Sequence, residues 1–135
     1  MRNIFALRTG YLALAPVDEH GLRSGPALDG AQIVFVTPSH QFPTTATMPL
    51  GRRMDLLKRA HADDFIIIED DYEFETNYVN EPCPALKSLD DDGRVIYVGS
   101  LSKALFPGLR LGFMGGPKAL IDEARALRRL MGRHA

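Results

Sequence analysis

The sequence predicts an α/β fold with a mainly parallel sheet and crossover helices, on three observations. Four short apolar runs recur along the chain and are continuous rather than alternating, as in strands covered on both faces. A segment with helical periodicity separates two of them. Turn chemistry bounds the rest, and 135 residues, 45% of them apolar, suffice for one domain with a core of its own.

The first run is Leu12–Val17, "LALAPV", and the second is Gln32–Thr37, "QIVFVT". Between the second and the third lies "PLGRRMDLLKRAHADD", in which Met54, Leu57 and His61, with Leu56 and Ala60 beside them, recur at helical spacing. The arginines and the lysine fall on its other side, which predicts a crossover helix with a basic outer face. The third run, Phe65–Glu69 ("FIIIE"), leads into "DDYE", and the fourth is Val95–Gly99, "VIYVG". Leu109–Gly115 ("LRLGFMG") reads as a further strand, reached by so short a connection that antiparallel pairing is expected. Pro117 then suits a first helical position, and Leu120, Ile121, Ala124, Leu127 and Met131 form an apolar stripe along a closing helix. Two long irregular segments, Thr37–Pro49 and Asn77–Lys87, follow strand ends or short elements beyond them, where open α/β sheets place ligands.

Composition excludes several function classes. Sixteen basic and seventeen acidic side chains leave no basic stripe to track a nucleic-acid backbone. Arg125, Arg128, Arg129 and Arg133 lie mostly on the polar side of the last helix, which accounts for them without nucleic acid. Met1–Ala15 lacks the unbroken apolar core of a signal peptide. No stretch approaches the roughly 18 apolar residues of a spanning helix. The single cysteine, Cys83, suits a reducing compartment, so a soluble, cytoplasmic chain is expected. No metal is expected: His40 and His61 have no second ligand at zinc spacing and read as a loop polar group and a helix-surface residue.

Two constellations carry chemistry. The acids Glu69, Asp70 and Asp71 close a buried strand, where charges must be solvated, paired or neutralised by a ligand. A magnesium-binding receiver domain would need its acid pair on the first strand, and here two strands precede the acids. The second constellation is "GSLSK" (99–103), followed by Arg110. Its spacing is not that of a nucleotide P-loop. Hydroxyls flanking an amine, with a guanidinium fork close by, make a cup for a phosphate. A phosphate cup beside an amine, facing a carboxylate on a neighbouring strand, matches what pyridoxal 5'-phosphate requires. Its aldehyde condenses with a lysine, and a buried carboxylate keeps its ring nitrogen protonated.

With these residues on the page, the sequence resembles the fold type I, aspartate-aminotransferase-like superfamily. Within it, the likeness is to the aminotransferase-like domain of MocR/GabR-type transcriptional regulators. "APVDEHGLR", "VFVTPSHQFPT", "IIIEDDYEFE" and "PALKSLDDDGRVIYVGSLSKALFPGLRLGF" follow that subfamily's wording in order, from about Val17 to the C-terminus. The resemblance implies that Lys103 forms the internal aldimine with the cofactor, that Asp70 partners the pyridine nitrogen, and that Tyr72 meets the ring hydroxyl. It makes Ser100, Ser102 and Arg110 the phosphate contacts. It further implies that residues 1–135 are part of a large, PLP-binding domain, with no DNA-binding domain and no small C-terminal domain. A homodimer and an amino-acid-like small molecule are expected of the full-length relative, with no nucleic-acid contact from this segment and no membrane.

The sequence also departs from the family pattern. Phe42 stands where aminotransferases proper carry an asparagine, a replacement the regulators share, and Thr45 stands where a turn glycine is usual. "EFETNY" replaces the regulators' usual "DSEFRY" beyond Tyr72. Two other functional readings stay open at this point: a fragment of a genuine PLP-dependent aminotransferase acting on an amino acid, and an inert truncated remnant.

Overall fold

Residues 11–41, 44–71, 83–101 and 111–131 are described by the structure, a computed structural model. The first regular element among the described residues is a small hairpin, β1 (Val17–Asp18) with β2 (Gly21–Leu22), paired antiparallel. Gly21 sits at φ +85°, a conformation open to glycine at no steric cost. Asp18 closes the turn by accepting a hydrogen bond from the His20 amide at 2.8 Å. Its two oxygens also receive Arg52, at 2.5 and 3.2 Å, and this guanidinium, followed by the His20 amide, holds the carboxyl below the usual range. The same contact ties the hairpin to helix α1 (Leu50–Asp63).

The main sheet has strand order β3 (Ile33–Val36), β4 (Ile66–Asp71), β5 (Val95–Ser100) and β6 (Gly112–Gly115). β3, β4 and β5 run parallel, and β6 pairs antiparallel with β5, as the short connection predicted. Helix α1 is the crossover from β3 to β4. It ends at Asp64, whose left-handed backbone (φ 56°) turns its amide back to the Ala60 carbonyl. A left-handed cap of this kind tolerates aspartate better than most side chains. The short helix α2 (Leu86–Leu89) precedes β5, and α3 (Lys118–Met131) follows β6.

Strand register sorts the side chains onto two faces. Val34, Val36, Ile67, Glu69, Asp71, Val95, Tyr97 and Gly99 share one face by pairing, and Ile33, Phe35, Ile66, Ile68, Asp70, Ile96, Val98 and Ser100 share the other. The first, inner face carries the core: Val34, Val36, Ile67 and Val95 pack with Leu56 and Ala60 of α1, Phe65, Met48, Leu86, Leu22 and Leu28. Full burial of each large aliphatic side chain in this set is worth about 1.5–3 kcal/mol.

Four sequence expectations need correction. Residues 11–16 form no strand, and the run Leu12–Val17 contributes only Val17 to the two-residue β1. The continuous apolar runs of β3 and β4 are not covered equally on both faces: β3 alternates exposed and buried, because no described helix covers the outer side of Ile33 and Phe35. In α1 the buried stripe is Arg53, Leu56 and Ala60, whereas Met54 and His61 are exposed. The true stripe runs at i, i+3 and i+7 from Arg53, one step round the helix from the apolar set read in the sequence. The stripe of α3 buries no residue among those described, and Leu127, Leu130 and Met131 remain exposed.

Candidate functional site

The carboxyl ends of the neighbouring parallel strands β4 and β5 form the candidate site. At the end of β4 the alternation of the strand separates three consecutive acids. Glu69 and Asp71 point to the inner face and are buried, and Asp70 points to the outer face, half-buried. Each acid is treated differently.

Glu69 is capped. Its Oε1 accepts the Leu86 amide at 2.8 Å and its Oε2 the Lys87 amide at 2.9 Å, so one carboxylate serves the first free donors of α2. The Arg53 guanidinium lies 3.9 Å from Oε1. Burial pushes the Glu69 carboxyl above its ordinary value, and the two amides and Arg53 pull against that shift. Asp71 is tied to the neighbouring strand, where its Oδ2 accepts the Tyr97 hydroxyl at 3.1 Å. Its Oδ1 is buried with no partner among the described residues. Burial, then the charge of Asp71, raises the Tyr97 phenol. The Tyr97 ring lies 5.7 Å from that of Phe113, which covers Gly99.

Asp70 has neither kind of support. No donor among the described residues reaches it, and its carboxyl is raised first by burial and then by the charge of Asp71. It pairs across β4 and β5 with Val98, and Ser100, two residues on, stands on the same outer face at the strand end. The structure therefore brings together two of the residues the sequence singled out, a carboxyl with no donor among the described residues and a hydroxyl at adjacent strand ends. Tyr72, Ser102, Lys103 and Arg110 lie outside the described residues, as does Phe42. Thr45 is described and adopts φ 59°, the left-handed backbone expected of a position that usually holds glycine.

The match to the aminotransferase class I and II family model runs over residues 22–132. The chain belongs to that family. The family's regulators are well represented among its relatives, in agreement with the sequence motifs. Over 118 residues the chain is 49% identical to the HTH-type transcriptional regulator TauR of Rhodobacter capsulatus, covering 87% of this chain and 24% of TauR. Over 91 residues it is 44% identical to the probable rhizopine catabolism regulatory protein MocR of Rhizobium meliloti, covering 67% of this chain and 18% of MocR. Among solved structures, the kynurenine aminotransferase of Pyrococcus horikoshii, crystallised with PMP, superposes with a TM-score of 0.79 at 34% identity, over 87% of this chain and 31% of that one. The chain thus spans about a fifth to a quarter of the length of these regulators and under a third of that enzyme.

Sequence reasoning missed the groups that support this candidate site. Arg53 was placed on the polar side of α1, although its spacing from Leu56 and Ala60 was the available signal. Asp90 accepts from the Arg94 and Val95 amides at 3.1 and 2.8 Å and from Lys87, organising the turn into β5. Hydrogen bonds from these groups outweigh its burial and hold its carboxyl below the usual range. It was legible only as part of "LDDDG". Among the described residues no cluster of His, Cys, Asp and Glu could hold a metal ion, and no helix is long and apolar enough to cross a membrane.

Proposed function

We propose that residues 1–135 are part of the large, cofactor-binding domain of a MocR-type regulator, and that the chain holds pyridoxal 5'-phosphate at the ends of β4 and β5. The observation that carries this reading is Asp70: a half-buried carboxyl with no donor among the described residues, sharing its face with Ser100 at the mouth of a parallel sheet. A carboxyl left unpaired in such a place suits an external N–H donor bearing positive charge, and a protonated pyridine nitrogen is one. The PMP bound to the Pyrococcus horikoshii relative is a cofactor of that chemistry.

In this reading Asp70 accepts the ring N–H and stabilises its positive charge. Ser100 and Ser102 donate hydroxyl hydrogen bonds to the phosphate, and Arg110 clamps it as a bidentate fork. Tyr72 hydrogen-bonds the ring hydroxyl, and the Lys103 amine attaches the aldehyde. When bound, the cofactor supplies the electron sink that protein side chains lack. Phe42 in place of the usual asparagine and the regulator relatives favour sensing of an amino-acid-like small molecule over turnover. A homodimer and a cytoplasmic location belong to the same reading of the full-length protein.

The test is covalent. Incubation with pyridoxal 5'-phosphate, reduction with borohydride and peptide mass spectrometry should locate the adduct on Lys103 and leave Lys58, Lys87 and Lys118 unlabelled. Label spread evenly over all four lysines, or a folded chain with none, would overturn the reading. Asp70→Asn should weaken uptake by about 10- to 100-fold, the worth of a charge-assisted hydrogen bond. The pH dependence follows in sign. Asp70 sits above the ordinary value of 3.8 and must be ionised to receive the ring nitrogen, so affinity in the wild type should rise with pH through that raised value and then level off. Asp70→Asn should remove this limb.

A further inference from the structure

Arg53 is fully buried and spends its guanidinium on three backbone carbonyls from separate parts of the chain. Nε donates to Met48 O at 2.9 Å, Nη1 to Pro84 O at 3.0 Å and Nη2 to Pro38 O at 3.1 Å. Pro38 follows β3, Met48 precedes α1, and Pro84 precedes α2. The two irregular segments singled out in the sequence therefore meet on one side chain. The same Nη1 faces Glu69, whose carboxylate holds the Leu86 and Lys87 amides just beyond Pro84. The circuit closes on β4 at the residue before Asp70.

We propose that Arg53 is the positioning residue of the cofactor site: through Glu69 it locks the end of β4 between the segments after β3 and before α2, and so fixes where Asp70 stands on the outer face. The proposal rests on the reading of Asp70 given above. The geometry explains why an arginine is used. Three acceptors in three directions match a planar fork with five donors, whereas a lysine ammonium is a compact charge that cannot span them. It also explains the isolation of Asp70. Glu69 pairs with Val36 and Tyr97 in the centre of the sheet, so a fixed Glu69 leaves the next side chain one direction to take.

The experiment uses the full chain and the variants Arg53→Lys and Glu69→Gln, with three readouts: thermal unfolding, the dissociation constant for pyridoxal 5'-phosphate, and the carboxyl titration of Asp70 by carbon NMR without cofactor. Asp71 is the charged group that acts on Asp70, and it is unchanged in both variants. Arg53→Lys, unfolding cooperatively, should bind the cofactor about tenfold or more weakly, as expected of a misplaced contact. Its Asp70 should titrate lower than in the wild type, because a loosened strand end admits water. Wild-type affinity in the folded variant overturns the proposal and leaves the cofactor reading standing. Lost affinity with the Asp70 titration unmoved places the effect in the flanking segments alone and also overturns it. If Arg53→Lys does not unfold cooperatively, Glu69→Gln decides by the same criteria. Failure of both shows a scaffold pair and no positioning role. A wild-type chain that takes up no cofactor overturns the reading of the site, and this proposal with it.

Discussion

Glu69 and Asp70 are consecutive residues of β4 on opposite faces of one sheet, and the faces obey different rules. On the inner face the core is closed: Ile67 and Val95 are 0% exposed, and the polar intruders Arg53 and Glu69 spend their hydrogen-bonding capacity on backbone. On the outer face Ile33 and Phe35 are 50% and 40% exposed, and Asp70 has no donor among the described residues. A satisfied buried charge is architecture, whereas a carboxyl left half-buried and unpaired is an opening for a ligand. On the reading proposed above, the chemistry lies on the side that packs least.

The sharpest way to break this comparison is to truncate one large side chain on each side. Leu56, 1% exposed in α1 against the inner face, should cost about 2–5 kcal/mol as Leu56→Ala, through lost transfer energy and a residual cavity. Phe35→Ala on the outer face should cost about 1 kcal/mol or less. Chemical denaturation of both variants measures the difference. Equal costs would mean that the outer face is covered in solution, and a dependence of the Phe35→Ala cost on protein concentration would identify a second copy as the cover.

A smaller effect sits at the edge of the inner face. A β-carbon on Gly99 would lie 2.5 Å from Cζ and 2.7 Å from Cε1 of Phe113, whose ring rests against Tyr97. Gly99→Ala should therefore cost about 1–3 kcal/mol by overpacking, even though alanine suits a strand better than glycine. Combining it with Phe113→Ala should abolish that cost in a double-mutant cycle. An undiminished cost in the double variant would refute the contact with the ring as its origin.

Much of this was legible in the sequence, for identifiable reasons. Apolar runs and the helical period located β3, β4, β5 and α1, and the brevity of the link before β6 fixed its antiparallel sense. The motifs placed Asp70 and Ser100, which the structure sets on one face. Which sides of the strands are covered was not legible, because an apolar run reports what could be buried and the cover comes from elsewhere in the chain. Arg53 was misassigned because a sequence pattern scores an arginine as polar. Its burial is possible only because Pro38, Met48 and Pro84 offer carbonyls, and those acceptors are recorded in no side-chain identity. Glu69 stood out only as one of three acids at a strand end, and its capping role was illegible for the matching reason, since its partners are backbone amides.

The smallest effect concerns the cover of the inner face. Within the segment between β3 and α1, Pro38, Ala46 and Met48 are buried, yet the turn that makes this possible runs through Thr45 at φ 59°. Its amide donates to Gln41 O at 2.6 Å and its hydroxyl to Thr44 O at 2.7 Å, so Thr45 uses both its donors despite a conformation that a β-branched residue rarely adopts. Left-handed backbone costs a non-glycine residue about 1–2 kcal/mol, and glycine returns about half of that as added freedom of the unfolded chain. Thr45→Gly should thus raise the unfolding free energy by about 0.5–1 kcal/mol. Thr45→Ala, which keeps the β-carbon, should bring no gain. A gain in both variants would trace the effect to the hydroxyl and its neighbours. A gain in glycine alone would show that the cover of the inner face carries local backbone strain at Thr45.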